Sequence, residues 1–153
     1  VRVEKIGKAT LYCGNCRTVL PLLTEKADII ITDPPYSSGG LMRSDRMASS
    51  GSKYTTKEWH SFSGDNRDQR TFTLWCSAWM AELLAHAAPS AMLFSFIDWR
   101  NLPCMTDAVQ VGGWVWRGII PWDKINARPQ VGFFRSQCEY IVWASAGKLL
   151  GTG

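Results

Sequence analysis

Asp33, Pro34, Pro35 and Tyr36 follow one another directly behind the apolar run Ile29-Ile30-Ile31-Thr32. Asp33 precedes a proline, which drives its backbone to an extended conformation. Pro34 and Pro35 fix their own φ angles and offer no backbone donor. The result is a stiff exit from a strand that presents two neighbouring acceptors, the Asp33 carboxylate and the Pro34 carbonyl. Tyr36 stands beside them as a flat wall. Such a corner suits a planar group bearing an NH2, such as the exocyclic amine of adenine or cytosine. That amine is a poor nucleophile because its lone pair is delocalised into the ring. Accepting both of its hydrogens localises the lone pair, and an electrophilic methyl donor then becomes a target. This is preorganisation aimed at charge that develops in the transition state. A base reaches such a corner only by leaving its stack, and an aromatic ring holds it there.

The elements that must position this corner can be read along the chain. Lys8–Cys13 is short and β-leaning and stops at Gly14. Leu20, Leu22 and Leu23 suit one helical turn, which Pro21 keeps short. "ADIII" (Ala27–Ile31) is a continuous apolar run, as in a strand covered on both faces. Strand, helix and strand in that order predict a βαβ unit. "TFTLWCSAWMAELLAHAAPS" reads as a helix of about five turns. Leu74, Trp75, Ala78, Trp79, Leu83 and Ala87 form its apolar face, and Pro89 closes it. "AMLFSFI" is a buried strand that ends at Asp98. "LPCMTDAVQVGG" is a helix stopped by Gly112 and Gly113. "WVWRGIIPW" is a strand that Pro121 marks either as an edge or as finishing there, and "CEYIVWAS" is the last strand. This alternation predicts an α/β fold with helices packed on a mostly parallel sheet. Ligands of such sheets sit beyond the carboxyl ends of the strands, where Asp33–Tyr36 falls.

The 153 residues, 46% of them apolar, suffice for one domain with a core. No internal repeat or domain boundary breaks the chain. A mobile loop is expected over about 37–70, rich in Gly, Ser, Thr and charges of both signs. The formal charge of +4 permits an anionic partner without requiring one. Lys53 and Lys57 in the loop, and Lys124 and Arg128 behind "GIIPW", are the candidates for DNA phosphate. For each, a solvated loop is the plainer expectation. Tyr54 and Trp59 add aromatic surface of the kind that meets unstacked bases. The chain has neither an apolar signal core nor a run of roughly 18 apolar residues, so a soluble cytoplasmic protein with no membrane contact is expected.

Other residues carry weaker signals. The five cysteines are odd in number and scattered, unlike a disulfide framework. Cys13 and Cys16 form an isolated C-x-x-C, and a thiol-redox role for them is the weakest of the alternatives. His60 and His86 have no partner at metal spacing, so no metal site is expected. Asp98 either lines the pocket or caps the helix near Leu102. Trp99 could stack on a base but is expected in the core, and Glu139 in an ion pair with Arg135 or Arg117.

"TLYCGNCRTVLPLLTEKADIIITDPPY" resembles the opening of the DNA amino-methyltransferases that act on adenine N6 or cytosine N4, in the order that places the catalytic region first. "AMLFSFIDWR", "GGWVWRGIIPWDKINARP" and "FFRSQCEYIVWAS" resemble the later strands of that family. The resemblance implies a Rossmann-like methyltransferase sheet, S-adenosylmethionine as donor and double-stranded DNA as partner. Asp33 and Pro34 would hold the amine, Pro35 would shape the turn and Tyr36 would stack on the base. Aspartate in the first place of the tetrapeptide tilts the reading to adenine N6, with cytosine N4 as the alternative. Asn15 stands where the family usually has an aspartate that meets the cofactor, Cys16 lies beside it, and Asp33 completes that set. The family's Phe-x-Gly-x-Gly loop has no counterpart here. The sheet is therefore expected to be incomplete, with the chain the catalytic half of a longer polypeptide, or else a non-catalytic DNA-binding remnant.

Overall fold

The computed structural model describes residues 1–37, 67–126, 131–132 and 134–149. Six strands and three α-helices are found among them. β1 (Arg2–Ile6) and β2 (Ala9–Cys13) form a hairpin. Gly7, at φ +59°, supplies the left-handed step that its two-residue turn demands. α1 (Cys16–Val19) runs into a 3-10 turn at Leu20–Leu22, the short helical piece expected around Pro21. β3 (Ala27–Thr32) leads to the tetrapeptide. α2 (Gln69–Ala85), β4 (Ala87–Ile97), α3 (Leu102–Val111), β5 (Val115–Asp123) and β6 (Cys138–Ser145) complete the order.

The main sheet has the order β3-β4-β6-β5. β3 and β4 pair in parallel, and β6 pairs antiparallel with both β4 and β5. Three of the four strands thus run one way and β6 runs against them. β5 is an edge strand, one of the two outcomes that Pro121 allowed.

Four expectations fail, the last of them in part. β2 and β3 do not form the expected βαβ unit, since β2 is not in the main sheet. It belongs to a separate two-stranded sheet with β1, because Arg2–Ile6 supplies an antiparallel partner through the Gly7 turn. "ADIII" is not covered on both faces: β3 lies at the sheet's edge, with Ile29 at 55% and Ile31 at 69% exposure. Pro89 does not close α2. His86 ends that helix, and Pro89 lies inside β4, where it is exposed. The apolar face of α2 is right only in part: Trp79 is buried and Trp75 and Leu83 pack on the core as expected, but Leu74, at 72% exposure, and Ala78 face solvent, while Phe72, Cys76 and Met80 are buried instead.

The core lies between α2 and α3 and one face of the sheet. Phe72, Cys76 and Met80 from α2 meet Met105, Ala108 and Val109 from α3, over Leu93, Ile97, Val142 and Ala144 of the strands. Gly112 ends α3 where α2 passes: a Cβ there would come within 2.8 Å of the Met80 Cβ. The indole of Trp114 donates to the Met80 carbonyl at 2.9 Å and ties the entrance of β5 to α2. On the opposite face Phe94 stacks on Trp143 with centroids 6.4 Å apart, and Phe96 meets Trp122 edge-on at 5.0 Å.

Asp68 caps α2. One carboxylate oxygen accepts from the backbone N–H groups of Arg70 and Thr71, each at 3.0 Å, and the other from the Thr71 hydroxyl at 3.0 Å. The Thr71 N–H is the chief reason that the carboxyl is held below its usual range, followed by the Thr71 hydroxyl. A folded-state value below the unfolded one gives stability that is full above the unfolded value and is lost as pH falls through the folded one. Acidification therefore lowers the thermal midpoint more steeply in the wild type than in Asp68→Asn, whose amide caps without titrating. Parallel melting curves across the acid range check this.

Candidate active site

The parallel course of β3, β4 and β5 brings their carboxyl ends to one edge of the sheet, together with the start of the opposed β6. Asp33–Tyr36 emerges there from β3. Asp33 is exposed and Pro34 is buried behind it, while Pro35 and Tyr36 are half-buried. Tyr36 packs against the core between the helices and the sheet. The corner thus has an anchored base, a stiff bend and an outward-facing carboxylate.

Tyr36 has a carboxylate-rich outlook. Its phenol is held well above its usual range, first by burial, then by hydrogen bonding and charge from Asp33, and further by the charges of Glu139 and Asp98. Two of those acids have cationic partners. Asp98 meets the Arg100 guanidinium at 2.8 Å, and Glu139 meets the Lys124 ammonium at 3.0 Å. Among the described residues no ion pair to Asp33 is found. Asp33 is thus an exposed acceptor at this edge.

The remaining candidates are distributed as follows. Asn15 is the N-cap of α1 and its Oδ1 accepts from the Arg17 N–H at 3.0 Å. Cys16, the first residue of α1, is exposed. Lys124 is held by Glu139, so the ion pair expected of Glu139 forms with a different cation from either Arg135 or Arg117. Arg117 instead donates to Ser145 at 2.9 Å and to the Gly147 carbonyl at 3.0 Å. Lys53, Lys57 and Arg128 lie outside the described residues, as do Tyr54, Trp59, His60 and most of the loop expected over about 37–70. Asp98 does not act as the N-cap of α3. Its Oδ1 accepts from the N–H groups of Arg100 and Asn101 in the turn before that helix. Trp99 is not a core residue: it is 56% exposed, with the Arg100 guanidinium 5.0 Å from its ring.

Two residues at this edge escaped the sequence reading. Ser37, directly behind Tyr36, is 1% exposed and takes the left-handed region at φ +54°. Asn101, with no exposure, donates from Nδ2 to the carbonyls of Tyr36 at 2.7 Å and Ser37 at 2.9 Å. The available signal was its place just before an apolar helical run, where asparagine is commonly an N-cap. Asn101 does hold that place, but its side chain turns to the neighbouring strand's exit instead of the helix.

Among the described residues no cluster suited to a metal ion and no helix fit to cross a membrane is found. No curated protein matches the chain. Among solved structures it is similar to the M1.HpyAVI-SAM complex, at 19% identity and a TM-score of 0.59, with 91% of this chain and 54% of that one covered. A structure of M1.HpyAVI is matched at 20% identity and a TM-score of 0.59, over 91% of this chain and 57% of that one. The chain therefore spans little more than half the length of these structures, and the likeness is one of fold. Residues 27–150 match the family described as DNA methylase, N6_N4_Mtase. That match runs from β3 through the tetrapeptide to the end of β6, well over half of the sequence, and the chain belongs to this N6/N4 DNA methylase family.

Proposed function

We propose that the polypeptide carrying this chain is an S-adenosylmethionine-dependent DNA methyltransferase that acts on the N6 amine of an adenine turned out of the duplex. The observation that carries the reading is the exposed Asp33 on a bend anchored by buried Pro34 and half-buried Tyr36. The Asp33 carboxylate and the Pro34 carbonyl accept the two amino hydrogens. The nitrogen is drawn toward tetrahedral geometry and its lone pair is localised. Tyr36 lies along the base and keeps the amine in register, and Asp33 is placed to hold the proton that the methylated nitrogen sheds. Each acceptor is fixed before the reaction, so little reorganisation is needed as positive charge builds on nitrogen.

By their chemistry, Asp33 and Asn15 would each suit contact with S-adenosylmethionine. Asp33 offers a carboxylate toward a cation. Asn15 retains one lone pair on Oδ1 beside the one committed to Arg17. When bound, the cofactor supplies an electrophilic methyl group. Adenine is favoured over cytosine by aspartate in the first place of the tetrapeptide, in line with the resemblance described above. Double-stranded DNA is the partner that the family implies.

The test mixes the full natural polypeptide with duplex DNA and methyl-labelled S-adenosylmethionine, then digests the DNA to nucleosides. Label in N6-methyl-2′-deoxyadenosine is expected. Label in N4-methylcytosine moves the reaction to the other base, and label in neither overturns the proposal.

A further inference from the structure

The turn behind Tyr36 is held in an unfavourable conformation by a residue from the connection between β4 and α3. Ser37 has a side chain, yet its φ is +54°, in a region that costs free energy for every residue but glycine. It is also almost wholly buried. Such a residue persists only where its surroundings over-determine it, and such places cluster at functional sites. Here the surroundings are identifiable. The Ser37 hydroxyl donates to the Arg67 carbonyl. Asn101 divides the two hydrogens of one amide nitrogen between the carbonyls of Tyr36 and Ser37. Its own Oδ1 is buried with no partner among the described residues. A buried acceptor left unmatched is a cost to folding, so the amide is present for its donors. Asn101 reaches this turn from the far side of β4's exit, just before α3.

We infer that Asn101 is a positioning residue for the amine-gripping corner: by holding the Tyr36 and Ser37 carbonyls it fixes the Tyr36 ring and the Pro34 carbonyl in the geometry that receives the base. The inference rests on the function proposed above. Asn101 itself touches no reacting atom. It acts through a turn one residue beyond the tetrapeptide. A displacement there of about 1 Å lowers rate on the order of 100-fold without weakening the remote contacts that bind substrate.

Asn101→Asp keeps the shape and removes both N–H donors, and Asn101→Ala removes the side chain's polar end. Chymotrypsin cuts after aromatic residues, and the Tyr36–Ser37 bond is the one whose carbonyl Asn101 holds. In Asn101→Asp cleavage there is expected to quicken roughly 10-fold or more at temperatures well below the melting point, as the locally open form becomes more populated. In methyl transfer kcat falls about 10- to 100-fold while KM for DNA stays within about 2-fold. The deficit of Asn101→Asp narrows on acidification, because the protonated carboxyl regains one donor, whereas that of Asn101→Ala does not. Cleavage after Tyr36 at the wild-type rate in both variants, or kcat unchanged in both, overturns the inference. A wild type that transfers no methyl group sinks the proposed function instead. The cleavage measurement then still decides whether Asn101 holds the turn.

Discussion

Asp33→Ala leaves the protein folded and removes methyl transfer. The expected loss in kcat is on the order of 100- to 1000-fold, the scale seen when one preorganised hydrogen-bonding partner is taken from a transition state. Folding is spared because Asp33 is exposed and, among the described residues, has no ion pair to break. Asp33→Asn separates the parts of the effect. Its amide oxygen still accepts one amino hydrogen but carries no charge toward the developing cation, so its rate falls between those of the wild type and the alanine variant. Methyl incorporation into duplex DNA, measured at saturating cofactor beside a melting curve of each variant, checks both. Unchanged kcat in Asp33→Ala removes the carboxylate from the mechanism.

The largest effect on stability is expected at Phe72. This ring has no exposure and lies where the first turn of α2 meets the core. It touches the Trp75 ring, with centroids 6.1 Å apart. Phe72→Ala leaves a hole that the neighbouring helix and strands fill only in part, and the loss is about 3–5 kcal/mol. In a domain of this size that is a large fraction of the whole, since net stability is commonly about 5–15 kcal/mol. Leu74, two residues on, is 72% exposed, and Leu74→Ala changes stability by about 0.5 kcal/mol or less. Denaturant midpoints of the two variants check the contrast. Comparable losses at both positions would mean that α2 packs by a face other than the one described.

That contrast also shows where the sequence misleads. Tryptophans and alanines recur along α2 at spacings that fit two overlapping stripes, and the periodicity of 3.6 residues does not choose between them. The one that packs runs through Phe72, Cys76 and Met80, because α3 and the sheet lie on that side. The ends of α3 and the limits of β6 were legible, since Gly112 and the apolar run inside Cys138–Ser145 are local signals, and Pro121 left β5 either an edge strand or one that stops there. Pro89 misled because proline was read as a helix stop, and it is also tolerated where a strand's N–H needs no partner. The tetrapeptide's place at the sheet's carboxyl edge followed from strand order alone. The grip of Asn101 on the turn did not, because it joins residues 64 and 65 positions apart in the chain. Pairings of that span leave no period or motif to read.

The open side of β3 has a bearing on handling as well as on architecture. The side chains of Ile29 and Ile31 face solvent together along a strand edge that carries no lysine and whose register irregularity lies only at its start, between Ala27 and Ile29. Left bare, this rim nucleates ordered self-association. Turbidity should grow with protein concentration, a dye sensitive to apolar surfaces should light up, and a charge introduced by Ile31→Lys should suppress both while leaving Asp33 untouched.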